Sequence, residues 1–203
     1  MTRHTLTAML LGLACAGAAN AGPQDDADLA AFKASFRDKN GATVDRLEQT
    51  EHQKLCSQDA LAPLSAAQRK AIEAEALATV RMPADGKYFG DWKEGEKLAQ
   101  NGRGMQSNDA KGSPNGGNCY ACHQLDKKEI AFGNIGPSLY QYAKLRGGAT
   151  PELLKYTWSK VYNSHAFQAC STMPRFGAAG ILTEKQIQDV MSLLLDPASP
   201  VNH

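Results

Sequence analysis

The sequence predicts an all-α protein. Apolar residues recur at helical spacing in four or five segments, Ser or Thr stands three residues before Gln at the head of two of them, and no segment alternates as a half-buried strand does. The chain has 203 residues, with 22 Lys and Arg against 21 Asp and Glu, which suits an ordinary globular domain with an extension. Those charges are spread along the chain without a basic block. The electrostatic footprint needed to grip a phosphate backbone is missing, so nucleic acid is set aside as a partner.

Residues 1–21 read as a leader. Arg3 precedes a run, Leu6 to Ala19, that is almost entirely apolar or small, and Ala19-Asn20-Ala21 has the small-x-small form that signal peptidase accepts. The run is shorter than the roughly 20 residues a spanning helix needs. Cys15 does not read as a lipid-attachment site, because Gly12 stands where such signals prefer Leu. The expectation is export to the periplasm with cleavage after Ala21, leaving a mature chain of zero net charge. No later stretch is apolar and long enough to span a membrane.

Residues 22–89 read as a helical, highly charged N-terminal extension, and 90–203 as the principal domain. In the extension Leu29, Phe32 and Phe36 share a face, Asn40-Gly41 breaks that pattern, and Ser65 with Gln68 caps a helix carrying Ile72, Ala76, Leu77 and Val80. His52 reads there as a solvated surface residue. Asp91 with Glu94 forms a capping-box pattern for a helix through Gln100, with Trp92, Gly95 and Leu98 on one face. Arg103 to Asn118, rich in Gly, reads as a long loop, either a docking surface or a tolerated insertion. Thr150-Pro151 opens a helix with Leu154, Trp158 and Val161 in a stripe. Thr183 with Gln186 opens the last helix, whose Ile187, Val190, Met191 and Leu194 face precedes Pro197.

Cys119-Tyr120-Ala121-Cys122-His123 is the most informative run. It is the C-x-x-C-H form of covalent haem attachment: thiols three positions apart at the start of a helix add to the two vinyl groups of one porphyrin, and the adjacent imidazole falls on the iron. A redox C-x-x-C pair would be expected among alternating strands and helices, and a zinc site would need a second ligand pair nearby. One haem c is therefore expected, with Cys119 and Cys122 as thioether anchors and His123 as a ligand.

The sixth position has seven candidates in the mature chain: Met82, Met105, Met173, Met191, His52, His165 and His203. Met173 is favoured, because Pro174 follows it in a loop between two helical patterns, and a Met ligand would raise the potential relative to a second His. His165 is the rival, Met191 reads as core and Met105 as exposed. Gly136-Pro137 supplies a rigid carbonyl, so Pro137 is the candidate acceptor for the second ring nitrogen of His123; an ordinary turn proline is the alternative. Cys56 and Cys170 remain, and an oxidising compartment favours a disulfide between them, with intermolecular pairing or a reactive thiol as alternatives.

Four segments together resemble the SoxX family: Cys119 to His123, Gly133-Asn134-Ile135-Gly136-Pro137-Ser138-Leu139, Met173-Pro174-Arg175-Phe176-Gly177, and Leu182-Thr183-Glu184-Lys185-Gln186-Ile187. The resemblance spans roughly residues 90 to 196. It implies a class I cytochrome c fold with His123 and Met173 as iron ligands. It further implies a heterodimer with a SoxA-like haem subunit, in an L-cysteine S-thiosulfotransferase (SoxAX) that couples thiosulfate to a cysteine of the SoxYZ carrier. This chain would pass electrons to a soluble cytochrome c. One departure is that Phe167 to Thr172 lacks the Asn-Pro many members have before the ligand Met; with Cys56 and the extension, this looks like the longer SoxX type.

No catalytic residue is expected in this chain, so the isolated subunit should be redox-active and silent in turnover. A free-standing periplasmic electron carrier is the alternative function, since haem, ligands and fold would be the same. A peroxidase or gas sensor would require an open sixth position, contrary to Met173-Pro174.

Overall fold

The computed structural model describes residues 23–59 and 62–203; the leader and its cleavage site lie outside the described residues. The described residues form six α-helices: α1 Pro23–Ala34, α2 Glu51–Asp59, α3 Ala66–Ala78, α4 Trp92–Gln100, α5 Pro151–Tyr162 and α6 Glu184–Leu195. Among the described residues there is no strand, only an isolated bridge between Lys39 and Ala42 at the Asn40-Gly41 turn. None of these helices is long and apolar enough to cross a membrane.

The compositional division at residue 89 does not coincide with a structural one. The main compact unit runs from Asp38 to His203, and the described residues up to Arg37 belong to another. In that first unit, Phe32 and Phe36 stand edge to face at 5.0 Å.

In the main unit α4 packs on α6. Gly95 makes this possible: a Cβ there would lie 2.1 Å from the carbonyl oxygen of Asp189. Helix α6 is buried over nearly its whole surface, with Ile187, Met191, Leu193 and Leu195 fully enclosed. Its capping box is complete: the Thr183 hydroxyl accepts from Gln186 N–H, and the Gln186 side chain accepts from Thr183 N–H. The box expected at Asp91 does not form. Asp91 accepts from Lys93 N–H, and its own N–H donates to Asp189 Oδ1 at 2.7 Å, so a distant carboxylate takes the bond that Glu94 was expected to receive.

Trp158 of α5 lies at 0% exposure, with its indole N–H donating to Arg81 O at 2.7 Å and Tyr88 packed edge to face at 5.8 Å. The chain from Thr79 to Gly90 is thereby bound over the core. A smaller core joins Leu64 and Ile72 to Ala169, flanked by Leu55 and Cys170. It places α2 and α3 against the 167–174 loop. Ala169 N–H donates to Glu73, and Asn163 donates to Ala76 O and Thr79 Oγ1. His52 is not simply solvated, for its Nε2 lies 2.5 Å from Glu75 Oε2, bridging α2 to α3.

Candidate functional site

Cys119–Ala121 form a single 3-10 turn rather than the expected first turn of an α-helix. Asn118 precedes it with φ of 47°, and Cys122 and His123 both donate backbone N–H groups to Cys119 O at 3.1 and 2.9 Å. Segment 133–137 crosses this turn closely. Gly133 donates to Tyr120 O at 3.0 Å and Gly136 to Cys122 O at 2.8 Å. A Cβ at Gly136 would sit 2.1 Å from Cε1 of the His123 ring, so only glycine lets the imidazole lie there. The next residue provides the expected acceptor: His123 Nδ1 lies 2.7 Å from Pro137 O. A carbonyl only accepts, so Nδ1 carries the proton and Nε2 keeps its lone pair.

A cavity of about 360 Å³ opens beside this turn. Cys119, Cys122, His123 and Pro137 line one part of it, and Met173, Pro174 and Phe176 another. Val190, Leu193 and Leu194 of α6 contribute apolar wall. Of the seven sequence candidates for a sixth ligand, only Met173 borders this cavity. Met191 is fully buried in the core, Met82 is exposed beside Tyr88, and His52 pairs with Glu75. Met105 is only partly exposed, its carbonyl taken by Arg46. His203 lies at the exposed terminus, and its carbonyl accepts from Tyr140 and Gln141. His165 borders a different cavity and contacts Ser171 O through Nε2 at 3.2 Å.

The loop that presents Met173 is held at several points. The Ser164 hydroxyl donates to Met173 O at 2.5 Å, and Gly177 and Ala178 donate to Tyr162 O. Cys56 and Cys170 form a disulfide with Cα atoms 5.2 Å apart, which ties α2 to this loop three residues before Met173. Cys170 takes a left-handed backbone, φ 60°.

The cavity chemistry suits a flat apolar group bearing peripheral acids. Its walls are mostly hydrocarbon and contain no carboxylate, while Arg146 and Lys160 stand at its border. The Tyr142 hydroxyl meets Thr157 Oγ1 at 2.9 Å, and Arg146 lies over the Tyr142 ring at 4.1 Å. Sequence reasoning missed these four residues, since loop 139–146 and α5 meet only in the folded chain. Burial raises the Cys119 thiol to about 12 and lowers the Lys160 ammonium from its ordinary value. Cys119 and Cys122 are not joined in a disulfide, and no cluster of three His, Cys, Asp or Glu able to hold a metal occurs among the described residues.

The comparisons with known proteins agree with this geometry. A protein of Aquifex aeolicus (strain VF5), described as an uncharacterized lipoprotein, is 37% identical over 196 residues, covering 94% of this chain and 92% of the relative. The Cytochrome c family model matches residues 92–196, a span that contains the turn, the cavity walls and the Met173 loop. The helical fold is that of a class I cytochrome c, and the chain belongs to the cytochrome c family, whose cofactor is covalently bound haem c.

Proposed function

We propose that this protein is the monohaem, electron-accepting SoxX-type subunit of a SoxAX thiosulfate-oxidising complex. The observation that carries the reading is spatial: all four segments of the resemblance contribute to one cavity, through Cys119, Cys122 and His123, through Gly136, Pro137 and Leu139, through Met173 and Phe176, and through Leu182.

In this reading Cys119 and Cys122 anchor the cofactor, and His123 and Met173 face its iron. Haem c, when bound, supplies a centre that takes and gives one electron at a time. The protein's part is to hold and shield it. Pro137 O fixes the His123 ring and its tautomer. Ser164 and the Cys56–Cys170 bridge fix the Met173 loop, and α6 excludes water from the apolar wall. Arg146 and Lys160 offset the cofactor's acids. A single C-x-x-C-H run implies a single haem.

The complex would join thiosulfate to a SoxYZ cysteine thiol. One sulfur–sulfur bond forms, the thiol proton is released, and two electrons leave the substrates for the cytochromes. This chain contributes no nucleophile or base to that step. Its partners are a SoxA-like haem subunit, held permanently, and SoxYZ and a soluble cytochrome c, met transiently. Zero net charge on the mature chain suits a permanent interface better than long-range steering.

The protein is exported, and we place it in the periplasm with Gly22 as its first residue. The relative's description as a lipoprotein makes Cys15 the rival start; intact mass of the mature protein distinguishes Gly22 from a lipid-bearing Cys15. For the function, the chain is tagged at its C-terminus and isolated from its own organism grown on thiosulfate. A stoichiometric second haem protein with thiosulfate-dependent activity is expected, and the subunit alone should show no turnover. A lone monohaem protein would overturn the SoxAX assignment and leave a free electron carrier.

A further inference from the structure

Residues 170–173 carry Met173 on a short local scaffold. Ser171 N–H donates to Gln168 O at 3.1 Å and Met173 N–H to Ser171 Oγ at 3.3 Å, while Ser171 O lies 3.2 Å from His165 Nε2 and Met173 O accepts from the Ser164 hydroxyl. The hydrogen bonds of Ser171 and Met173 thus stay within residues 164–173. Ala169 is anchored separately, buried in the small core with its N–H on Glu73. Beyond it the Cys56–Cys170 disulfide ties the loop to α2. Cys170 sits at φ 60°, a left-handed conformation that is costly for a residue with a Cβ and is kept only where its surroundings impose it.

The bridge is also within reach of an outside reagent. Cys56 and Cys170 are both half-buried, and both line a polar cavity of about 410 Å³ on whose wall Met173 and Pro174 stand as well. Helix α2 has other holds on α3: Leu55 packs on the core of Leu64 and Ile72, His52 meets Glu75 at 2.5 Å, and Asp59 pairs with Arg69 at 2.6 Å. Opening the bridge therefore leaves α2, α3 and Ala169 in place and loosens the residues that lead to Met173.

We infer that the Cys56–Cys170 disulfide is a thiol-sensitive switch on Met173: intact, it keeps the thioether on the iron, and reduced by a dithiol it lets external ligands compete for that position. One thiolate of the dithiol attacks a bridge sulfur, and its second thiol then displaces the mixed disulfide. The bond between Cys56 and Cys170 breaks, the two sulfurs of the reductant become joined, and each cysteine gains one electron and one proton. Cys170 is then free to leave the left-handed region. Since a Met ligand raises the potential, its release also turns down the protein as an electron acceptor. The inference rests on Met173 as the iron ligand and is independent of the thiosulfate assignment.

The test uses the haem-loaded mature chain, whose Cys119 and Cys122 are then thioethers. The ferric protein is first checked for the absorbance band of Met ligation. The haem is then held ferrous with ascorbate, which leaves disulfides intact, and carbon monoxide is titrated before and after treatment with excess dithiothreitol and its removal. Alkylation and intact mass report whether the bridge has opened. Carbon monoxide affinity should rise at least about tenfold, within the range usual for coupled sites, with the helical circular dichroism unchanged. Cys56→Ser with Cys170→Ser should show the raised affinity without treatment and no response to dithiothreitol. A missing Met band in the untreated protein overturns the ligand assignment and the switch with it. With the band present, the switch alone is overturned by a bridge that dithiothreitol does not open, by an affinity that stays the same once it is open, by a rise that comes with loss of helix, or by an equal response in the double variant.

Discussion

Removing both sulfurs of the Cys56–Cys170 bridge, as Cys56→Ala with Cys170→Ala, releases α2 from the loop that presents Met173. The bridge closes a loop of 114 residues. In the chain-entropy treatment such a closure restricts the unfolded chain by about 4.8 kcal/mol, an upper bound that natural bridges often fall below. Part of the junction survives without it, because Ala169 still donates to Glu73 and Ser164 still donates to Met173 O. The expected loss is therefore about 2–4 kcal/mol. For a domain of this size each kcal/mol moves Tm by roughly 2–4 °C, so the midpoint should fall by about 5–15 °C. Calorimetry on the haem-loaded double variant, beside wild type under oxidising conditions, measures it. The absorbance band of Met-ligated ferric haem, followed during the same scan, should disappear at a lower temperature in the variant. A midpoint within about 2 °C of wild type would refute the reasoning, showing that the small core around Ile72 holds the loop without the bridge.

Four other outcomes follow from particular contacts. Gly136→Ala puts a Cβ 2.1 Å from Cε1 of His123, so the ring must shift and stretch its 2.7 Å contact with Pro137 O. Loss of such an orienting bond typically weakens a metal ligand about 10–100-fold, and the spectrum of the purified variant should report mixed or lost axial ligation. Gly95→Ala drives a methyl into the Asp189 carbonyl at 2.1 Å, and a loss of about 2 kcal/mol or more is expected in denaturant titration, because backbone must move to relieve it. Thr183→Ala removes one half of the α6 capping box and should cost about 1 kcal/mol by the same assay. Asp59 is held below its ordinary value first by the Leu64 N–H and then by Arg69. Its stabilising effect is thus full above the unfolded carboxylate range and fades as pH falls through the folded value; in Asp59→Asn, thermal midpoints should lose that acid-side slope.

The helices with complete local signals were legible in the sequence. Ser65 and Gln68, Thr150 and Pro151, and Thr183 and Gln186 each lie within one turn of the helix they start, so the structure had nothing distant to add. Asp91 and Glu94 show the limit: the pattern is equally local, but Asp189 arrives from α6 and takes the N–H. The C-x-x-C-H run and Met173-Pro174 were legible because their chemistry is written in residue type and order. Gly133 was not singled out, although a Cβ there would meet Ala121 O at 1.8 Å; its need for glycine exists only once segment 133–137 lies across the turn. Arg146, Thr157 and Lys160 were hidden for the same reason. The division at residue 89 followed charge density and lies beside the start of the Cytochrome c match at residue 92, while packing joins residues on either side of it, with Ile72 and Ala76 buried at 2% and 1% exposure within the main unit.

The wall that α6 gives the cavity also sets an order of events. Val190, Leu193 and Leu194 close the cavity from the last helix of the chain, while Cys119 and Cys122 precede it by about seventy residues. During synthesis and export the two thiols are therefore out in the open before their lid exists. Once α6 docks on α4, its Val190, Leu193 and Leu194 stand across the cavity that Cys119 and Cys122 line. A flat cofactor has its widest approach to both thiols before the C-terminal helix arrives, and in the folded chain that approach is narrowed by the apolar wall of α6.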